Sequence, residues 1–220
     1  MRRRNSDGHG LEGGAFIVLS DIFINTAFLL VIMLVAVTVT SSSALKQVQI
    51  NDDQLAFEGN VSQAFPYQWK ERLLTAYPNG NYQRFTFADS LFFEPGKWEI
   101  KPGAYSLLNK LAPLLQKQLR DGKIVKIVVE GHTDQQPMGP ALVALVTDSW
   151  QLSSLRSLAV VRYLQGKSVP GSSLTAVGRG EFDPLPIDAS GRPPTDGQNR
   201  RIEIILVYAA GEVPLKKKVH

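Results

Sequence analysis

Ile124-Val125-Lys126-Ile127-Val128-Val129-Glu130-Gly131-His132-Thr133-Asp134 decides the fold. Residues 124–130 are short, β-branched and almost continuously apolar, which predicts a strand buried in a sheet, and the polar run 131–134 follows it. On the N-terminal side, Asp121-Gly122 ends a helix that Pro102 opens, proline being favourable in a first turn. Leu107, Leu108, Leu111, Leu114, Leu115 and Leu119 give that helix one apolar face, and Pro113 inside it is expected to kink or shorten it. Residues 82–93 are rich in β-formers. On the C-terminal side, residues 150–165 form a second amphipathic helix carrying Leu152, Leu155, Ala159, Val160 and Leu164. Residues 174–177 read as a strand, and Ile202, Ile204, Leu206 and Tyr208 alternate as in a final strand. The expected class is α+β: a βαβαβ-like domain over 81–210, a sheet with helices on one side.

A different solvent is written into residues 16–40, where Asp21 is the only charged residue. As a helix this stretch is ~37 Å long at ~1.5 Å per residue, enough to cross a bilayer. Arg2, Arg3 and Arg4 precede it, whereas Lys46 is set against Asp52 and Asp53 after it. The positive-inside rule therefore places residues 1–15 in the cytoplasm and the rest beyond a bacterial inner membrane, crossed once. A cleaved signal peptide ending at Ser42-Ser43-Ala44 is the competing reading, but the apolar stretch is longer than a signal h-region and contains an acid. A carboxylate inside a bilayer helix costs on the order of 2.5–3.5 kcal/mol, and such residues usually face a bundle interior or a water-filled path. Asn25 lies one turn after Asp21 on the same face, with Ser20 and Thr26 beside them. Asp21, Asn25 and Thr26 are thus the candidate ion pathway; the alternative is an interfacial acid reaching headgroup water. One helix cannot hide an ionised acid, so a partner is implied.

Residues 41–80 read as a periplasmic linker with a possible short helix over 63–77, closed by the turn Pro78-Asn79-Gly80. Residues 211–220 form a basic tail. The net charge of +4 is concentrated at the two ends, which argues against nucleic-acid binding. With no cysteine there is neither a disulfide, a thiolate metal site nor a lipoprotein anchor. Three histidines, two of them His9 and His220 near the ends, make a metal site improbable, and no cofactor is expected. No nucleophile elbow, P-loop or metal motif points to an enzyme.

Several separated motifs resemble the OmpA-like, peptidoglycan-binding domain family. Leu91-Phe92-Phe93-Glu94-Pro95-Gly96 with Ile100-Lys101-Pro102 is similar to its opening strand and turn. Gly131-His132-Thr133-Asp134 is similar to the GHTD signature, Leu152-Ser153-Ser154-Leu155-Arg156 to L-S-x-x-R, and Gly178-Arg179-Gly180 to a G-x-G turn. Asn199-Arg200-Arg201-Ile202-Glu203-Ile204 is similar to the closing strand. The resemblance implies that Asp134 and Arg156 clamp the zwitterion of a diaminopimelate stem peptide, with Thr133, Asn199 and Arg200 close by. The bland alternative is a turn-capping Asp134 paired with Arg156 on the surface. His132 is read as orienting or structural. The chain departs from the family at residues 138–148, an apolar insertion suited to a dimer contact, and at Ser149, where many members carry asparagine.

The aspartate-bearing helix Ser20-Asp21-Ile22-Phe23-Ile24-Asn25-Thr26-Ala27-Phe28, joined to such a domain, resembles the MotB family of flagellar stator subunits. In that family a dimer sits within a ring of five polytopic MotA-type partners, and H+ or Na+ passing the aspartate drives rotation. The short linker, with no evident amphipathic plug helix, is more similar to the MotB-like subunit of the Zorya anti-phage system, ZorB, whose polytopic partner is ZorA. The resemblance implies an inner-membrane subunit that anchors an ion-driven motor to peptidoglycan as a homodimer. A passive tether between membrane and wall is the simpler alternative.

Overall fold

The computed structural model describes residues 9–135, 146–187 and 190–209, with side chains described from residue 17 onward. It divides into two compact units, Met1–Lys46 and Gln47–His220. The first helix, α1 (His9–Ala64), runs through the apolar stretch. There its large side chains stand in the open, Phe23 at 78% and Met33 at 64% exposure. Such a surface does not persist in water, and the helix is long and apolar enough to be a candidate membrane span. Several of its hydroxyls return to their own helix: Thr26 Oγ1 donates to the Ile22 carbonyl at 2.7 Å and Thr40 Oγ1 to that of Ala36 at 2.9 Å. Those hydroxyls are then satisfied in apolar surroundings.

The second unit begins inside α1. Ile50, Gln54, Phe57 and Val61 recur at helical spacing and are buried, Phe57 edge-on to Phe85 at 5.4 Å. Residues expected to form a linker therefore carry regular structure. The helix expected over 63–77 is instead α2 (Pro66–Lys70) followed by β1 (Leu74–Asn79). Proline at the first position restarts the helix, and Arg72, at φ 54°, turns the chain out of it. The turn at Gly80 belongs to a hairpin, in which Asn79 pairs with Tyr82 of β2 (Tyr82–Ala88).

α3 (Ala104–Arg120) keeps its full length through Pro113, which lies on its exposed side. There water can take the carbonyl that proline leaves without a donor, so the expected shortening does not occur. β3 (Ile124–His132), α4 (Ser149–Gly166) and β4 (Leu174–Gly180) form a parallel crossover. A one-turn helix, α5 (Asp196–Asn199), leads into β5 (Arg201–Tyr208). Strand order is β1-β2-β5-β3-β4, antiparallel except for β3 with β4. The expected sheet with helices on one side is what forms, and its strand directions are mixed. Phe85, Phe87, Ile127, Val129, Ile202, Ile204 and Leu206 are in mutual register on one face and share a core with Leu108, Leu115, Val160 and Leu164 of the helices. The alternating positions Glu130, His132 and Glu203 are buried on the opposite face.

Candidate functional site

The sequence motifs meet where β3 and β4 end against the start of α4. Asp148 caps α4, its carboxylate accepting from the Gln151 amide at 2.8 Å. A Cβ at Gly131 would come within 2.2 Å of the Ser153 carbonyl oxygen, and one at Gly178 within 2.1 Å of Ser154 Oγ. Only glycine lets the helix lie this close. Ser153 Oγ closes the contact, accepting from the Gly180 amide at 2.9 Å. The L-S-x-x-R spacing thus puts a small hydroxyl against the strands and, one turn later, Arg156 deeper in the fold.

Four charged side chains follow. Arg156 is only 2% exposed; its Nη1 donates to Asp89 Oδ2 at 3.1 Å, its Nε to the Lys97 carbonyl at 2.9 Å, and the guanidinium lies 5.2 Å from the Phe93 ring centre. Burial raises the Asp89 carboxyl above its ordinary range, although Arg156 and Arg200 pull the other way. Burial likewise lowers Arg156, with Asp89 opposing. Asp134 is held by Arg200, a hydrogen-bonded ion pair that raises the arginine. The sequence pairs Asp134 with Arg156; the structure gives Asp134 to the half-exposed Arg200 and Arg156 to the buried Asp89. Asp89 carries no signal of its own in the sequence: it is one acid in a 3₁₀ turn, Asp89–Leu91, two residues ahead of the Leu91–Gly96 motif.

Thr133 donates its amide to the Gly180 carbonyl at 2.9 Å, while its buried Oγ1 has no hydrogen-bond partner among the described residues. Asn199, also buried, accepts the Leu185 amide at 3.0 Å, so it positions the segment before β5. Asp21, Asn25 and Thr26 lie on α1, exposed in the single chain.

A second polar cluster sits on the sheet face away from the helices. His132, fully buried, has Nε2 3.6 Å from Glu203 Oε2 and Nδ1 3.9 Å from Asp183 Oδ2. Burial alone would raise Glu203, but His132 and Arg201 outweigh it and hold the carboxyl at about 2. Glu130, His132 and Asp183 offer ligand atoms within 4.8 Å of one another. Yet Arg179 already grips both oxygens of Glu130, at 2.6 and 3.2 Å, and Arg201 and Arg84 take Glu203 at 2.7 and 3.1 Å. Guanidinium groups thus already hold two of the three carboxylates, Glu130 and Glu203, and Asp183 faces His132. His132 here has a structural setting.

Residues 92–200 match the OmpA family model. They form an OmpA-like domain. Outer membrane protein A of Serratia odorifera is 29% identical over 132 residues, which is 60% of this chain and 50% of that protein; the chain spans half or less of the curated relatives it matches. Among solved structures, a MotB-like protein from Desulfovibrio vulgaris superposes with a TM-score of 0.60 at 28% identity, covering 74% of this chain and 99% of that one. The cell wall anchor of the type VI secretion system from Pseudomonas aeruginosa shares the fold at 20% identity and a TM-score of 0.54, over 68% and 97% of the two chains. The OmpA-like domain is therefore carried on a chain whose other unit is a candidate membrane span.

Proposed function

We propose that this chain is a stator-type subunit of an ion-driven inner-membrane complex, held to peptidoglycan by its OmpA-like domain and coupled to ion flow through Asp21. The observation that carries the reading is the Asp134–Arg200 and Asp89–Arg156 network at the end of β3, in a domain that follows an aspartate-bearing apolar helix. A diaminopimelate ammonium would replace Arg200 at Asp134, and the freed guanidinium would take the ligand's carboxylate. Arg156, buried and pinned by Asp89, fixes the floor beneath this exchange, and the unpartnered Thr133 hydroxyl supplies one more hydrogen bond. The N-terminus is cytoplasmic and the domain periplasmic in this reading, with the chain a dimer inside a ring of five polytopic MotA/ZorA-like subunits that pass H+ or Na+.

Only six residues, 41–46, separate the apolar stretch from the second unit. That compact junction favours the ZorB-like subunit of Zorya anti-phage defence. The similarity to a MotB-like protein along nearly its whole length favours the flagellar alternative. Purification from native membranes in mild detergent, with mass spectrometry of what accompanies the chain, tests the reading. A polytopic MotA/ZorA-like protein in excess over a dimer is the expected result. Recovery of the chain alone, or with wall fragments only, leaves a passive tether and removes the motor. Phage plating and swimming assays of a deletion strain separate defence from motility.

A further inference from the structure

Two large aromatic side chains outside the core lie beside the charged site. Trp150, at the start of α4, is 49% exposed, and Phe182, just past β4, is 62% exposed. Their rings stack at 5.3 Å between centres and 21° between planes. Neither belongs to the hydrophobic core. Gly180 sets the pair in place: at φ 59° it turns the chain under them, and a Cβ there would meet Phe182 at 3.2 Å and the Trp150 amide at 3.4 Å. The carbonyl of that same Gly180 accepts the Thr133 amide, so the aromatic pair is tied to the residue preceding Asp134.

We propose that Trp150 and Phe182 form a platform for the pyranose face of a peptidoglycan sugar, next to the stem-peptide site. The proposal rests on the reading that Asp134 and Arg200 bind the stem peptide. A sugar ring presents a face of C–H groups and an edge of hydroxyls. The outer face of the half-wet stack suits it, since the C–H face packs on that ring, held flat by the ring behind it, while the hydroxyls stay in water. Two side chains are far too small an area for a stable protein interface, which needs about 800 Å² from each partner. Covalent linkage suits the arrangement as well. The diaminopimelate is the third residue of its stem, so the sugar lies on the order of 10 Å away along an extended chain. Both ends of one muropeptide can then engage a single edge of the domain, raising the effective concentration of the second contact.

The test uses the full chain in detergent and two probes: a disaccharide–tetrapeptide muropeptide containing meso-diaminopimelate, and the same tetrapeptide without sugars. The expected result is tighter binding of the muropeptide, with Phe182→Ala and Trp150→Ala each weakening it about three- to tenfold and leaving the bare peptide unaffected. Asp134→Asn should weaken both probes. Equal wild-type affinity for the two probes, or an unchanged muropeptide affinity in Phe182→Ala, overturns the platform while the stem-peptide site stands. Binding of neither probe by the wild type overturns both readings. Should Trp150→Ala fail to fold, Phe182→Ala carries the test alone, its side chain lying outside the core. A change of oligomeric state in Phe182→Ala would reassign the pair to a contact between copies and overturn the proposal.

Discussion

Two arginines of the site differ in what they do for the fold. Arg156 is buried against Asp89, so Arg156→Ala leaves a desolvated carboxylate without its partner and should cost about 3–5 kcal/mol. Arg200 is 42% exposed at its side chain, and its pair with Asp134 is screened by water; Arg200→Ala should cost at most about 1 kcal/mol. Urea unfolding of the two variants separates them, and similar losses would refute the division into buried floor and exchangeable lip. Glu203 gives a second residue-scale prediction. Its carboxyl falls from 4.5 to about 2 on folding, so its contribution is complete above pH 4.5 and fades as pH drops toward 2. The amount is on the order of 3 kcal/mol. Glu203→Gln should be less stable at pH 7 and show a flatter acid limb, the two proteins converging near pH 2. Parallel acid limbs in the two titrations would assign the acid sensitivity elsewhere.

Between elements, the tightest contact is α4 on β3 and β4. Gly131→Ala drives a methyl into the Ser153 backbone, so the helix itself must move. The loss should reach about 1–3 kcal/mol or more. At Gly178 a nearest obstacle is the Ser154 hydroxyl, but the Ser154 amide stands at 2.8 Å, so Gly178→Ala should also destabilise, by less. Thermal melts in detergent rank the two; an alanine tolerated at 131 would contradict this packing. The same contact explains why this part of the fold is legible in sequence. α3, α4, β3 and β5 each bury a full stripe or face, and the glycines and Ser153 mark where two of them touch. β1 hides because it is an edge strand with Pro78 in it and only Leu74 buried. The second half of α1 hides because Gln54 interrupts its narrow stripe; that side chain instead donates to the Gly80 carbonyl at 2.9 Å, a partner 26 residues away. Site residues follow the same rule. Asp134, Arg156 and Arg200 stand in motifs, whereas Asp89 acquires its role only when the sheet brings it beneath α4. The apolar insertion at 138–147 lies almost wholly outside the described residues, as does the basic tail.

At the scale of the molecule, the proposed function turns on whether Asp21 meets a partner in a bilayer. The helix around it exposes Ile22, Phe23 and Ile24, so its surroundings there are lipid or protein, and Asn25 continues the polar face one turn on. Within residues 16–40 a second copy of the chain brings a second carboxylate and no positive charge, so pairing of two such helices alone does not neutralise the site. In the proposed complex a proton, a sodium ion or a donor from a polytopic subunit would do so. Asp21→Asn removes the charge while keeping size and hydrogen bonding, and it lowers the cost of insertion by part of the about 2.5–3.5 kcal/mol an acid carries there, the amide remaining polar. It should therefore insert and assemble at least as well as the wild type and lose biological activity completely, while Asp21→Glu retains some. Co-purification with the polytopic partner measures assembly; phage plating or swimming measures activity. Full activity in Asp21→Asn would mean that the acid rests in headgroup water, with the chain acting as a tether rather than a motor part. Loss of assembly together with activity would make Asp21 a docking residue whose charge another subunit reads directly.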